Sequence, residues 1–169
     1  MNKLPIIIVA CTLVIVAAVI ISFALLKNNS GFEESSTALP ELKVLSTDES
    51  GDKVDVETTY VKLSFPYAFS DIISVKAVSE DKSASLQFIS NIEGEAVTIY
   101  SIHFNSDEGI PCGALSLPEY DAEISVSVVF ADIPETISED WVSTFQATQE
   151  TFNDVITSMS EDDRFTYAE

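Results

Sequence analysis

The chain has 169 residues, of which 46% are hydrophobic, and its formal net charge at pH 7 is −20. So large an excess of carboxylates opposes binding to nucleic acids and to anionic membrane surfaces, because both are bound through Lys and Arg side chains. Two cysteines are too few for a disulfide framework. The composition argues against a nucleic-acid-binding protein and against a small disulfide-stabilised secreted domain.

The first predicted element is an apolar run that begins at Leu4, ends at Leu26 and is bounded by Lys3 and Lys27. As a helix rising about 1.5 Å per residue, it would extend roughly 34 Å, enough to cross the hydrocarbon core of a bilayer. Leu, Ile, Val and Phe fill 15 of its 23 positions, which favours membrane insertion. The run predicts a single transmembrane helix within a head-and-anchor segment, 1–27.

Two alternatives to a retained anchor are open at this stage. The basic start and the small residues Ser22 and Ala24 fit a cleaved secretory signal, although the apolar core of such signals spans only about 7–15 residues. Cys11 follows a loose match to a lipidation motif, but the residues after it stay mostly apolar. All 28 acidic residues follow the run. We therefore predict an uncleaved single-pass anchor with the acidic part on the extracytoplasmic side of the cell membrane.

Residues 28–57 predict an acidic linker, because Ser, Thr, Asp and Glu dominate without a sustained hydrophobic period. Within it, 42–45 is the one short stretch that fits a strand. Asp48, Ser50 and Asp52 alternate like calcium ligands. An EF-hand loop would require Gly and Glu at the positions that Lys53 and Thr59 occupy. The sequence therefore predicts no metal site in this segment.

From residue 58 the hydrophobic period becomes two, which is typical of half-buried strands. The clearest strand is 124–130, where Ile124, Val126, Val128 and Phe130 alternate with smaller or polar residues. The predicted strands are 59–65, 72–78, 84–89, 96–104, 115–117 and 124–130, and Phe165 and Tyr167 alternate as in a short edge strand. This pattern predicts an antiparallel sheet of five to seven strands.

A helical period replaces the strand period after residue 136. Apolar and aromatic side chains then recur every three or four residues: Trp141, Phe145, Thr148, Phe152, Ile156 and Met159, with Val155 beside them. The opposite side, which includes Gln149, is polar and is predicted to face solvent. We predict one amphipathic C-terminal helix over 137–159 that packs on the sheet. The predicted fold is thus an α+β domain over 58–169 behind the transmembrane helix and the linker.

The residues able to support catalysis are few. His103 is the only histidine, and Cys112 is the only cysteine outside the apolar run. Ser101, Ser106 and Asp107 lie near His103 in sequence, but without the spacing of a known nucleophile motif. A thiol–imidazole pair of Cys112 and His103 is one alternative, and a paired-carboxylate glycosidase is another, since the 28 acidic residues offer many pairs; we predict a structural or surface role for His103 and Cys112. No catalytic, cofactor-binding or metal-binding residue is predicted, and no cofactor.

One resemblance extends this interpretation. The strand from Val97 to Phe104, the glycines Gly109 and Gly113, and Trp141 followed by the sequence Gln149-Glu-Thr-Phe-Asn153 resemble small exported or membrane-anchored proteins of Gram-positive bacteria. The resemblance implies an α+β fold in the cell envelope and no particular activity.

The expected function is that of a membrane-anchored, extracytoplasmic, non-enzymatic module that binds a protein or a cell-envelope component. The alternatives are an accessory or structural subunit of a membrane complex and a small hydrolase.

Overall fold

The computed structural model describes residues 39–80 and 82–168. This part contains β1 (Val44–Ser50), β2 (Lys53–Thr58), β3 (Lys62–Pro66), β4 (Ile73–Ser79), β5 (Ala84–Ile92), β6 (Glu95–Phe104), β7 (Ile110–Leu117), β8 (Ala122–Phe130), α1 (Glu139–Glu150), α2 (Phe152–Met159) and β9 (Phe165–Tyr167). Short 3₁₀ turns occupy Tyr67–Phe69 and Pro118–Tyr120. Eight of the nine strands precede the two α-helices, β9 follows them, and all pair antiparallel, so the predicted α+β class is confirmed.

The strands form two antiparallel sheets where the sequence predicted one. A three-stranded sheet has the order β1-β2-β3, and a six-stranded sheet has the order β4-β5-β6-β8-β7-β9. Six strands fall within the predicted five to seven, and the short edge strand β9 is confirmed. The order of the strands in a sheet depends on contacts between strands that are distant in sequence. The alternation of hydrophobic residues along each strand does not encode that order.

The linker prediction is wrong for 44–57, because β1 and β2 lie there. Val54 and Val56 are 2% and 0% exposed and pair with Phe65 and Leu63 of β3. Between β1 and β2, Gly51 has φ +64° in a two-residue turn, a position that favours glycine. Asp48, Asp55 and Glu57, three of the acidic residues that suggested a linker, lie on the outer face of this hairpin, and the domain begins well before residue 58.

One hydrophobic core joins the two sheets. Along the six-stranded sheet, Leu86, Ile102 and Val128 are direct cross-strand partners, and all are at most 1% exposed. The aromatic ring of Phe65 on β3 meets that of Phe88 on β5 edge to face, with centroids 6.4 Å apart. The predicted alternation of β8 is confirmed for Ile124, Val126 and Val128, whereas Phe130 at the end of the strand is 40% exposed.

The predicted helix 137–159 is confirmed as two helices separated at Thr151. The Thr151 hydroxyl donates to the carbonyl of Thr148 at 2.6 Å and lies 3.1 Å from the Tyr100 hydroxyl of β6. The interruption at Thr151 is one that hydrophobic spacing does not indicate.

Helix α2 covers the outer edge of β3. The Ser158 hydroxyl accepts a hydrogen bond from the Ser64 backbone N–H at 2.8 Å and donates to Val155 at 2.7 Å. An uncovered edge strand invites unwanted pairing, so this contact closes one side of the three-stranded sheet.

The prediction that Gln149 faces solvent is wrong. Its side-chain amide is half-buried and donates to the carbonyls of Ala131 at 2.8 Å and Ile99 at 3.2 Å. These carbonyls lie where β8 ends beside β6. The side chain of the glutamine therefore adds hydrogen bonds just beyond the last backbone pair of these two strands.

We expect Ser90→Ala to leave the free energy of unfolding unchanged or to raise it by about 1 kcal/mol. The Ser90 side chain is 0% exposed, and its hydroxyl has no hydrogen-bond partner among the described residues. Removing an unsatisfied buried hydroxyl removes a desolvation penalty. Ser158→Ala is the matched control and should lower stability by about 1 kcal/mol, because its hydroxyl is bonded. Urea denaturation of the full chain measures both, and a clear loss of stability in Ser90→Ala would contradict the expectation.

No helix in 39–80 and 82–168 is both long and apolar enough to span a membrane. The predicted transmembrane helix, from Leu4 to Leu26, lies outside these residues.

Candidate functional site

His103 lies on the outer face of the six-stranded sheet, away from the core. It is half-buried, and its direct cross-strand partners are Ser85 on β5 and Ser127 on β8. The hydroxyl of Ser127 donates to the carbonyl of Glu108, so it is already bonded within the fold. The imidazole therefore lies among small polar side chains on a sheet surface, without a carboxylate directly opposite it.

Cys112 lies in an irregularity of β7 between Pro111 and Gly113. The thiol is free and 7% exposed, and it donates to the carbonyl of Ile110 at 3.3 Å. Burial raises the pKa of Cys112 to about 12, which opposes formation of the nucleophilic thiolate.

The structure separates Cys112 from His103. β8 lies between their strands, β7 and β6, and two strand spacings amount to roughly 10 Å. That separation is too long for a hydrogen bond between thiol and imidazole.

The other serines and acids near His103 have structural partners. Residues 105–109 cross the outer face of β8 on their way from β6 to β7. The Ser125 hydroxyl donates to the carbonyl of Ser106 at 3.4 Å, and the Ser106 hydroxyl accepts from the backbone of Glu108 at 3.1 Å. Asp107 is exposed at the crossing, and Ser101 is buried on β6. These residues hold the crossing in place and form no constellation with His103.

The residues that alternate like calcium ligands lie on the exposed hairpin of β1 and β2. Asp48 and Ser50 belong to β1, and Asp52 lies in the turn. Within the part of the chain that the structure describes, no group of three or more His, Cys, Asp or Glu residues is arranged to hold a metal ion.

A surface cleft of about 220 Å³ lies between the β2–β3 turn and the β7–β8 turn. Arg164 lines it, but its guanidinium is already bonded to both carboxylate oxygens of Asp162, at 2.9 and 2.7 Å. These bonds hold the pKa of Asp162 below its usual range. Tyr60 points away, since its hydroxyl donates to the carbonyl of Pro40 at 2.6 Å. The side chains of Arg164 and Tyr60 are thus engaged within the fold.

A smaller cleft, about 180 Å³ in volume, lies beside the covered edge of β3. Its lining includes Lys53, Asp154 and Glu161, together with the Ser158 hydroxyl that closes this edge.

The outer edge of β1 has backbone hydrogen-bonding groups that pair with no other strand of the described residues. β1 ends its sheet, and no other strand among the described residues pairs with that edge. In an antiparallel pair every second residue directs its N–H and C=O groups away from the partner. Residues 47–50 are exposed, and Leu45, at the irregularity where β1 begins, is 57% exposed.

The other two exposed sheet edges are better protected. β9 has only three residues. β4 carries Lys76 at its centre, a common guard of edge strands, and Ser79 at its end accepts the Leu42 N–H at 2.8 Å. β1 has no Lys or Pro.

Sequence reasoning missed this edge because it assigned 28–57 to a linker. The available signals were the alternation of Val54, Val56 and Thr58 and the glycine turn at Gly51.

Comparison of the chain with protein-family models, with curated proteins and with solved structures gives no significant match. The resemblance to small envelope proteins of Gram-positive bacteria stays a prediction.

Proposed function

We propose that the chain is a membrane-anchored module on the extracytoplasmic side of the cell that binds a protein or a cell-envelope component without catalysing a reaction. The supporting observation is the uncovered edge of β1, which offers a row of backbone donors and acceptors on a scaffold with a packed core. Addition of a partner's extended strand to such an edge is a recurring mode of peptide recognition. The apolar run between Leu4 and Leu26 and the acidity of the rest of the chain support the location.

Photo-cross-linking in intact cells tests the binding function. A photoreactive side chain at Thr47, exposed on β1, should form a covalent adduct with a partner protein or envelope polymer. The same side chain at Glu123, exposed on β8, is the control and should give little adduct. His103→Ala combined with Cys112→Ser should leave the Thr47 adduct unchanged. Adducts at neither position would contradict the binding function, and loss of the adduct in the folded double variant would favour chemistry at His103 or Cys112.

The location is tested separately. Protease added to intact cells should remove the folded domain while leaving cytoplasmic proteins intact, because an extracytoplasmic domain is accessible. Full protection of the domain until the cells are lysed would contradict the proposed location.

A further inference from the structure

We infer that the edge of β1 accepts an extended, basic segment of a partner protein, with cationic side chains placed beside Asp48 and Glu49. This inference rests on the proposed binding function and specifies its partner. It follows from the backbone geometry of the edge and from the charges beside it.

The backbone of β1 sets the shape of the partner. Its seven residues extend roughly 24 Å, enough for a segment of similar length to form a short ladder. Only an extended chain can place alternating N–H and C=O groups opposite those of the edge. The partner segment is therefore a strand, with its side chains alternating between the two faces of the enlarged sheet.

A pair of like charges in the sheet indicates which charge the partner strand should carry on the outer face. Asp48 of β1 lies directly opposite Asp55 of β2, an arrangement that is destabilising when uncompensated. The Asp55 carboxylate lies 3.5 Å from the Lys62 ammonium of β3, whereas Asp48, next to the free edge, is exposed. The next strand added to this sheet would place a side chain beside Asp48. A Lys or Arg there would complete a row in which each carboxylate has a cation within reach.

A second carboxylate favours a basic side chain of the partner strand on the inner face as well. Glu49 lies directly opposite Val54, whose side chain is 2% exposed, while Glu49 itself is exposed. A long basic side chain beside Glu49 can reach its carboxylate and keep its charge in water. Asp48 and Glu49 are consecutive, so they point to opposite faces of the sheet. The partner strand therefore needs adjacent basic residues, one for each face.

The same charges disfavour a second copy of this chain as the occupant. Two β1 edges pairing antiparallel would bring two acidic hairpins together, and each chain carries a formal charge of −20. Like charges on adjacent strands oppose pairing. The edge thus discourages self-association while it remains open to a basic strand.

The test uses the full chain in detergent and two labelled seven-residue peptides. Both alternate Thr and Val, and one carries two adjacent central lysines where the other carries two glutamates. The lysine peptide should bind at least about tenfold more tightly, and its affinity should fall as salt is added. Asp48→Asn with Glu49→Gln should weaken this binding about tenfold. The matched control, Asp132→Asn with Glu135→Gln, removes the same charge from an exposed loop and should change the affinity less than about twofold.

Amide hydrogen exchange locates the bound peptide. Protection should rise at alternate amides of β1 and leave β4 and β9 unaffected. Equal losses in both double variants would overturn the inference, since they would reflect general acidity. Equal affinity for both peptides, protection confined to another surface, or dimerisation of the chain through β1 would also overturn it. If neither peptide binds although Thr47 cross-links a partner in cells, the basic-strand assignment fails and the binding function stands.

Discussion

Phe145→Ala is expected to lower the free energy of unfolding by about 3–5 kcal/mol. The Phe145 ring is 0% exposed and belongs to the single core shared by both sheets and the helices. Its removal loses the transfer free energy of the ring and leaves a cavity that close-packed neighbours fill only partly. Urea denaturation of the full chain, followed by circular dichroism, measures the change.

Trp141→Ala is the matched comparison on the same helix. The sequence placed Trp141 at the head of the buried stripe, but its side chain is only half-buried at the margin of the core. Because hydrophobic stabilisation scales with the apolar area removed from water, we expect a loss of only about 1–2 kcal/mol. Equal losses in the two variants would show that the margin of the core is as tightly packed as its centre.

Gly109→Ala is expected to lower the free energy of unfolding by about 2–5 kcal/mol. Gly109 has φ +87° and ends the crossing over β8. A Cβ atom there would overlap the carbonyl oxygen of Val128 and lie 2.8 Å from the Val129 Cγ2 atom. Neither the backbone of a central strand nor the crossing can move without breaking other bonds, so steric overlap adds to the strain of a positive φ.

Gly94→Ala separates these two contributions. Gly94 has nearly the same backbone angle, φ +86°, in the turn between β5 and β6, but a Cβ atom there would meet nothing within 4 Å. This variant should lose only the conformational term, about 1–2 kcal/mol. If Gly109→Ala lowers the free energy of unfolding no more than Gly94→Ala does, the crossing segment moves to make room for the added methyl group and does not pack tightly on β8.

The sequence by itself determined the elements whose side chains repeat regularly. The alternation of β8 and the three-or-four-residue spacing from Phe145 to Met159 each reflect one buried face, and a single buried face imposes its period on the sequence. For the candidate site, the sequence indicated only the scarcity of reactive side chains around His103 and Cys112.

Tertiary structure decided what depends on contacts between distant residues. The packing of Val54 and Val56 against β3 turned an acidic stretch into a hairpin, and the burial of Gln149 followed from its hydrogen bonds to the carbonyls of Ile99 within β6 and of Ala131 just past the end of β8. The free edge of β1 is likewise a property of the strand order, since a strand is an edge only when no neighbour pairs with it. Local periodicity records which face of an element is buried, but which element covers it, and which edge stays open, is set by the chain as a whole.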